Sequence, residues 1–477
     1  MRLFKAILIV LLFVRMQAEA QDNSVWSLQR CVHYAIDHNI SIKQDSLTAR
    51  LARYTVLQSQ LSQIPSVSAS GSYGKSFGRS INPTTNQFVE GSYNSLSASG
   101  TVSTLLFGGL QIRNSIARNK YSLEASLADL EQLKDDVSLN VANGFLVALL
   151  AKEQINISKN QIEVSKAQLA QTKAFADAGR LPELNVAQLE SQLATDSSNL
   201  INSIASYNSA ILDLKALLNL DFAEPFSIQV PDAEVSGQLM MSSLEPADVY
   251  DKARMHFGSI KGSKLRVSAA EKNLAASRGN LYPQLSLGYQ LGTNFASNYQ
   301  TYSYTPSGYQ LAGIAVDSAN NHFNIYQPSF TTTSNAIPFS TQFDNNLRHS
   351  VFLNLNIPIF SGWQTQYGVR QAKINLASQQ LNEYNAELTL KQNVYKAHNN
   401  AVNSIQKYNA ARRANDAATR AFEFAKKRYD LGLTSTVDLL VTQSNQFNAA
   451  SNMVIAKYDL IFKLKVIDYY LGKEIKL

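Results

Sequence analysis

The residues of this 477-residue chain best suited to metal binding or nucleophilic chemistry are one cysteine and six histidines. Cys31 and His33 are two positions apart, so on a helix their side chains point to different sides and cannot hold one ion together. The other histidines show no ligand spacing with Cys31 or with acidic pairs, and the GxGxxG, P-loop and GxSxG motifs are absent. We therefore predict no catalytic site, no metal site and no cofactor.

Two short segments, residues 175–186 and 428–440, carry the most specific local patterns. In each, a glycine (Gly179 or Gly432) permits the left-handed conformation that ends many helices. Pro182 or Ser435 then begins the next helix. Each segment therefore predicts a tight reversal between two antiparallel helices, and the plain alternative is an ordinary helical-hairpin loop.

The segments that must position these turns occur as two similar copies in the sequence. Pro65 recurs as Pro283, at an offset of 283 − 65 = 218, and Phe107 recurs as Phe360, at an offset of 360 − 107 = 253. The difference, 253 − 218 = 35, places 35 extra residues between Pro283 and Phe360 in the second copy. This pattern predicts two structural repeats, residues 21–243 and 244–477, after a signal segment.

Long segments with little glycine or proline predict long helices, because Ala, Leu, Gln, Lys and Glu dominate them. About 70 residues at ~1.5 Å each give a helix of about 100 Å, which needs lateral partners to cover its apolar stripe. The expected helical hairpins span residues 109–220 and 362–471. The shorter helices that open the copies are expected at Leu28–Ser62 and Pro246–Arg278.

Between the helices the apolar period changes from 3.6 to 2, which predicts strand pairs within residues 66–106 and 284–360. The alternation is explained either by a half-buried soluble sheet or by a transmembrane barrel wall. Ser80–Gly91 is expected to be a connector. Asn294–Asn346 is expected to be a long polar loop that contains the 35-residue excess, and residues 221–243 a linker.

The N-terminus predicts a cleaved export signal over residues 1–20. Arg2 and Lys5 precede an apolar run, and Ala18-Glu19-Ala20 fits a cleavage site. No later segment approaches 18 consecutive apolar residues, so no transmembrane helix is expected. The net charge is +7, but the basic residues are scattered, which argues against a nucleic-acid partner.

Taken together, these patterns resemble the TolC-type outer-membrane efflux family over essentially the whole mature chain. The resemblance is carried by the duplication, by the turn Gly432-x-x-Ser435-x-x-Asp438 and by residues expected where helices and strands interchange. These helix–strand switches are Pro65, Pro283, Phe107, Gly109, Phe360 and Gly362.

The resemblance implies an α+β fold in a homotrimer. Four strands per chain would build one transmembrane β-barrel, continuous with a long antiparallel α-helical barrel. It also implies a passive exit duct in outer-membrane lipid, with a periplasmic helical tunnel. The partners would be a periplasmic adaptor (membrane fusion) protein and an inner-membrane pump of RND, ABC or MFS type. Drug, metal and protein cargo are not separated by the sequence, although the lack of Met or His clusters tilts towards organic solutes.

The same resemblance gives roles to the two turns. The pore constriction would involve Asp438, with Val441, Asn185 and Thr434 where relatives often carry charged groups, and Tyr429 bonded to a neighbouring helix. The adaptor would dock at the tips, formed by Asp177, Gly179, Arg180, Leu181, Pro182, Gly432, Leu433 and Ser435. The alternative class is a secreted helical-rod or adhesin-like structural protein, whereas a hydrolase is disfavoured because no acid–base or nucleophile constellation is found.

Overall fold

The structure of the protein is a computed structural model that describes residues 25–82, 84–230 and 245–473. The expected signal segment 1–20 and most of the expected linker, residues 231–243, lie outside the described residues. The chain divides into two units. The helical unit is drawn from Met1–Thr55, Asn119–Glu271 and Ile374–Leu477, and the sheet unit from Val56–Arg118 and Lys272–Lys373.

The described residues form helices and strands in the following order. The elements are β1 (Val25–Trp26), α1 (Leu28–His38), α2 (Ile40–Leu61), β2 (Ser66–Ile81), β3 (Phe88–Gly108), α3 (Gln111–Asp177), α4 (Glu183–Leu218), β4 (Ser227–Ile228), α5 (Pro246–His256), α6 (Gly258–Gly279), β5 (Gln284–Ala296), β6 (Gln300–Val316), β7 (His322–Ala336), α7 (Phe339–Asn345), β8 (Arg348–Asn356), α8 (Gln364–Asp430) and α9 (Thr436–Tyr470).

Corresponding helices have closely matching lengths. Helices α3 and α8 are both 67 residues long, and their first residues differ by 364 − 111 = 253. Helices α2 and α6 are both 22 residues long, with first residues 258 − 40 = 218 apart. The first residues of these helices are therefore separated by the same two offsets, 253 and 218, that separate the recurring residues in the sequence.

Each expected opening helix is two helices, so the prediction of one continuous helix was wrong. The first breaks at Asn39, whose ψ of 129° is extended and whose Oδ1 accepts hydrogen bonds from the backbone N–H groups of Ser41 and Ile42. The second breaks at Phe257, directly before Gly258. A Cβ on Gly258 would lie 2.3 Å from the carbonyl oxygen of Ala128, so the glycine lets α6 approach α3 closely.

The core of the helical unit lies where α1, α3 and α4 pack together. Phe145, Leu149 and Leu214 are almost completely buried there. Each such side chain contributes about 1.5–3 kcal/mol through its removal from water. The short parallel pair β1–β4 closes one side of this core, where the ammonium of Lys152 donates to the carbonyl oxygen of Ile228 at 3.1 Å.

The sheet unit contains a four-stranded antiparallel sheet in the order β2-β3-β5-β8. Paired residues project on the same side, so the register assigns each side chain to a face. One face is apolar, with Val67, Tyr73 and Leu353 exposed on it. The opposite face carries a row of hydroxyl pairs, including Ser70–Ser99 at 2.8 Å. Within the described residues, β2 and β8 each pair along one edge only.

The connectors of the sheet are more ordered than the sequence suggested. Strands β2 and β3 extend to Ile81 and from Phe88, so the expected connector Ser80–Gly91 shortens to residues 82–87. The expected loop Asn294–Asn346 contains the antiparallel pair β6–β7 and helix α7, and that prediction of a loop was wrong. Among the described residues, no helix is both long enough and apolar enough to cross a membrane.

Candidate functional site at the two helix turns

The two turns that end α3 and α8 have the same backbone geometry. Gly179 has φ +71° and Gly432 has φ +72°, both in the left-handed region. The N–H of Gly179 donates to Ala176 at 2.8 Å and the N–H of Arg180 to Phe175 at 2.9 Å; the second turn repeats both bonds. This six-to-one and five-to-two pair is the Schellman arrangement, which satisfies the last carbonyls of a helix.

The turns differ in how the following helix starts. Pro182 caps α4 without a side-chain hydrogen bond. Ser435 caps α9 by accepting from the N–H of Asp438 at 3.1 Å, and its hydroxyl donates to the Asp438 carboxylate at 2.8 Å. Ser435 therefore caps the helix and also binds the carboxylate of Asp438, a structural role that sequence reasoning did not assign to this carboxylate.

Asp438 is exposed at this helix start, and its environment favours the charged form. The hydroxyl of Ser435 lowers the pKa of the Asp438 carboxyl most, followed by the backbone of Ser435, the hydroxyl of Thr434 and the charge of Arg428. The Thr434 hydroxyl donates to the carboxylate at 3.3 Å. In the single chain Asp438 is therefore an accessible fixed negative charge at the end of a helical hairpin.

Tyr429 lies on the opposite, buried side of the second turn. Its hydroxyl lies 2.8 Å from Oγ1 of Thr172 on α3 and accepts from Oγ1 of Thr436 on α9 at 3.4 Å. Gln171 also donates to the Asp430 carboxylate at 2.9 Å. These bonds tie the end of α8 to α3, so hydrogen bonds connect the two copies near their turns.

A row of polar residues at alternating spacings of three and four leads along α3 to this contact. This row, the polar seam, occupies positions that a paired helix normally fills with apolar side chains. Its members are buried to at least nine-tenths, and they are Ser158, Gln161, Ser165, Gln168 and Thr172.

Asp196 of α4 contributes a buried carboxylate to the contacts that the polar seam makes. It is 2% exposed, and its carboxylate accepts from Ser165, from Gln161 at 3.4 Å and from Gln192 at 2.9 Å. Gln443 of α9 donates to Ser165 at 2.8 Å and so links the second copy to this cluster. Hydrogen bonds from these three donors offset the free-energy cost of burying the Asp196 carboxylate.

Gln168 is the exception in the seam. It is 3% exposed, and neither its Nε2 nor its Oε1 has a hydrogen-bond partner among the described residues. The Oε1 of Gln443 also lacks a partner there. Because an unpaired buried polar group costs about 1–3 kcal/mol, this stretch of the helix interface is held together weakly compared with the apolar core.

The structure distributes the other predicted site residues around the turns. Val441 and Leu433 are exposed apolar side chains, Asp177 and Pro182 are exposed, and Asn185 is half-buried. Arg180 covers the ring of Phe175 at 4.5 Å, and Leu181 is half-buried. Asp438 and Val441 therefore lie on the accessible side of α9, and Tyr429 lies inside the packed hairpins.

The helix–strand switches also adopt a shared geometry. Gly109 and Gly362 both have φ +57°, and each is followed by a further left-handed residue, Leu110 or Trp363. A Cβ on Gly109 would lie 2.5 Å from the carbonyl oxygen of Gly279, so the backbone requires glycine there. The remaining switch residues flank these sites: Pro65 and Pro283 directly precede β2 and β5, Phe107 lies in β3, and Phe360 precedes Gly362.

Across the described residues, no group of three or more histidine, cysteine, aspartate or glutamate side chains is placed to hold a metal ion. Cys31 is a free, buried thiol. Its surroundings raise its pKa to about 12, because burial disfavours the thiolate more than nearby Arg30 favours it.

A family model named Outer membrane efflux protein matches residues 32–220 and 249–472, which is most of the chain. The chain belongs to the outer membrane efflux protein family. This is a family of efflux channels rather than of enzymes. The long helices α3, α4, α8 and α9 all lie within the two matched ranges.

Three similar proteins illustrate the relationship. The outer membrane efflux protein BepC of Brucella suis is 23% identical over 370 residues, 75% of this chain and 68% of that protein. The outer membrane protein TolC of Escherichia coli is 29% identical over 136 residues, 28% of this chain and 27% of that protein. The CmeC outer membrane channel of Campylobacter jejuni superposes with a TM-score of 0.73 at 19% identity, covering 93% of this chain and 85% of that chain.

Proposed function

We propose that this efflux family member is the outer-membrane exit duct of a tripartite efflux or type I secretion system, and that it acts as a homotrimer. The observation that carries the proposal is the four-stranded sheet with one exposed apolar face, one hydroxyl-lined face and two unpaired edges among the described residues. An apolar face suits lipid and a hydroxyl-lined face suits a water-filled pore.

Closure requires more than one chain. Unpaired backbone groups cannot remain in hydrocarbon, so the two sheet edges must meet further strands. Three copies with four strands each would give a twelve-stranded barrel in the outer membrane. The long helices would continue as a periplasmic tunnel, with the export signal over residues 1–20 delivering the chain.

The two turns would form the periplasmic tips. There a periplasmic adaptor would dock on the exposed turn residues, and an inner-membrane pump would supply the energy. Three copies of Asp438 would form a single carboxylate ring that attracts cations at the constriction. Breaking the seam contacts around Thr172 and Tyr429 would let the tips separate, and the passage itself needs no chemical step.

The proposal is tested by fractionating cells that produce the full chain and by reconstituting the purified protein in planar bilayers. We expect an outer-membrane protein that migrates as a trimer when unheated and as a monomer after heating, and that forms discrete conducting channels. Recovery without detergent as a non-conducting species would instead identify a secreted helical-rod protein. A channel-forming monomer would overturn the trimeric barrel.

A further inference from the structure

The strands β6 and β7 form a long ribbon that accounts for most of the extra length of the second copy. The ribbon pairs Gln300 with Ala336 at one end and Val316 with His322 at the other. Between Gln300 and Ala336 the sequence has no lysine, arginine or glutamate, and its only carboxylate is Asp317 in the connecting turn. A surface ribbon with so little charge lacks the usual protection against pairing with other strands.

The two faces of this ribbon differ in polarity. Pairing places the large apolar side chains of β6 on one side, the apolar ribbon face, together with residues 326, 328 and 330 of β7. The polar residues 322, 324, 332 and 334 of β7 lie on the same side. The other side carries mostly serine, threonine, glutamine, asparagine and glycine, with the apolar side chains of Phe323 and Ile325 near the connecting turn. The apolar ribbon face is formed by Tyr302, Tyr304, Pro306, Tyr309, Leu311, Ile314, Val316, Tyr326, Pro328 and Phe330.

Two bulges keep that face continuous. The register shifts between Pro306 and Gly308 and again between Leu311 and Gly313, so one extra residue is inserted in β6 each time. Without the first insertion, Tyr309 would project on the polar side. Each bulge returns the apolar side chains that follow it to the same face of the ribbon. The one-sided apolar pattern is therefore a property of the folded ribbon.

Nothing within the described residues covers the apolar ribbon face. Tyr309 is 75% exposed and Tyr326 57% exposed. A two-stranded ribbon is at most marginally stable alone in water, and exposed apolar area of this extent marks a contact surface. The face therefore requires an occupant from outside the chain.

The base of the ribbon is held firmly to the sheet. The Thr84 hydroxyl donates to the carbonyl oxygen of Gln300 at 3.0 Å, beside the β2–β3 turn. Gln342 of α7 binds the edge of β5 through both the N–H and the carbonyl oxygen of Ala296, each at 3.0 Å. Copies that complete the sheet would therefore bring their own ribbons to the same end of the assembly.

We infer that the apolar ribbon faces of three copies of this chain pack against one another; this rests on the trimer of the proposed function. Lipid is a poor occupant because the outer edges of β6 and β7 would leave backbone groups unpaired in hydrocarbon. A charged partner finds only the single carboxylate of Asp317, in the connecting turn, on the ribbon. A second copy offers both an apolar face of the same kind and strand edges that can pair.

The inference is tested by cross-linking two adjacent cysteine variants of the full chain, Leu311→Cys on the apolar face and Gln310→Cys on the polar face. The native Cys31 can stay in place because it is buried. The purified protein is treated with a short bis-maleimide in detergent and after reconstitution in phospholipid vesicles. We expect Leu311→Cys to form covalent dimers in both, with at least one uncross-linked chain left in each trimer because every chain offers one accessible thiol, and Gln310→Cys to remain monomeric.

Native mass measurement separates this inference from the proposed function. A trimer in which Leu311→Cys stays monomeric on the gel, or cross-links no more than Gln310→Cys, would overturn the ribbon contact while leaving the duct intact. Cross-linking that disappears in vesicles would assign the face to lipid and also overturn it. A protein with no trimeric mass would contradict the proposed function itself.

Replacing residues 300–336 by a short Gly-Ser linker should keep the trimer but lower its heat-dissociation midpoint. An unchanged midpoint would count against ribbon packing.

Discussion

The hydroxyl of Tyr429 and Oγ1 of Thr172 lie 2.8 Å apart, although 257 residues separate them in the chain. Both side chains are buried, and they belong to the two 67-residue helices α3 and α8. This hydrogen bond, together with that of Gln171 to Asp430, therefore joins α3 and α8 directly beside their turns. Its strength should affect how readily the turns move apart.

Tyr429→Phe removes this bond with little change in side-chain volume. We expect the free energy of unfolding to fall by about 1 kcal/mol, the usual net value of one hydrogen bond. We also expect the open fraction of the channel in planar bilayers to rise. Tyr384→Phe is the matched control, because Tyr384 is exposed on the same helix. Equal behaviour of the two variants would show that the Tyr429 hydroxyl does not restrain the turn.

Asp438→Asn removes the exposed negative charge at the start of α9. We expect cation selectivity, measured as reversal potential in a salt gradient, to weaken strongly. Asp177→Asn in the other turn, whose carboxylate is also exposed, should change it less. Unchanged selectivity in Asp438→Asn would refute the proposed carboxylate ring.

The pH dependence of selectivity reports on the same carboxylate. Hydrogen bonds from Ser435 lower its pKa below the usual 3.8, so the charge is present above that pKa and is lost as the pH falls through it. Ser435→Ala removes the largest lowering contribution, and the selectivity midpoint should move to higher pH. In a trimer the other two carboxylates oppose the lowering, so the wild-type midpoint also measures how close they lie. A midpoint that Ser435→Ala leaves in place would contradict the hydrogen bond from the Ser435 hydroxyl to the Asp438 carboxylate.

Asp196→Ala leaves the donors of Ser165, Gln161 and Gln192 without their acceptor inside the packed helices. We expect a loss of about 2–3 kcal/mol, seen as a lower heat-denaturation midpoint. Asp213→Ala, on the exposed side of the same helix, should change stability by no more than about 0.5 kcal/mol. Comparable losses in both variants would mean that the buried cluster has no special part in stability.

Gln168→Leu replaces a buried amide that has no partner by an apolar side chain of similar size. We expect stability to rise by about 1 kcal/mol, because the cost of the unpaired amide is removed. Gln406→Leu on the exposed surface of α8 is the control and should be nearly neutral. A destabilised Gln168→Leu protein would show that the amide finds a partner in the assembled channel.

The long helices were predictable because residues 109–220 and 362–471 contain few helix-breaking residues, and the observed bounds fall within those ranges. The break at Asn39 was missed because its capping amide interrupts a segment whose composition stays helical. The polar seam was missed because helical spacing was sought in apolar residues, whereas Ser158, Ser165 and Thr172 carry the same spacing with polar side chains.

The ribbon escaped prediction for a related reason. Its residues are mostly Tyr, Ser, Thr and Asn, which also suit loops, and the bulges beyond Pro306 and Leu311 shift the alternation by one residue each time. Strand alternation in the sheet itself was visible because Leu353 and Leu355 alternate with asparagine without interruption. Within the candidate site, the turns followed from Gly179 and Gly432, but the Tyr429–Thr172 pairing depends on tertiary contacts.

The equal lengths of α3 and α8 restrict how this protein can be re-engineered. Deleting three residues from one helix alone would withdraw its turn by about 4.5 Å and rotate it by about 300° relative to the other. Deleting seven residues changes the direction in which the side chains point by only about 20°, because seven residues make almost two full helical turns. The two helices can therefore be shortened or lengthened only in steps of seven residues that are made in both helices together.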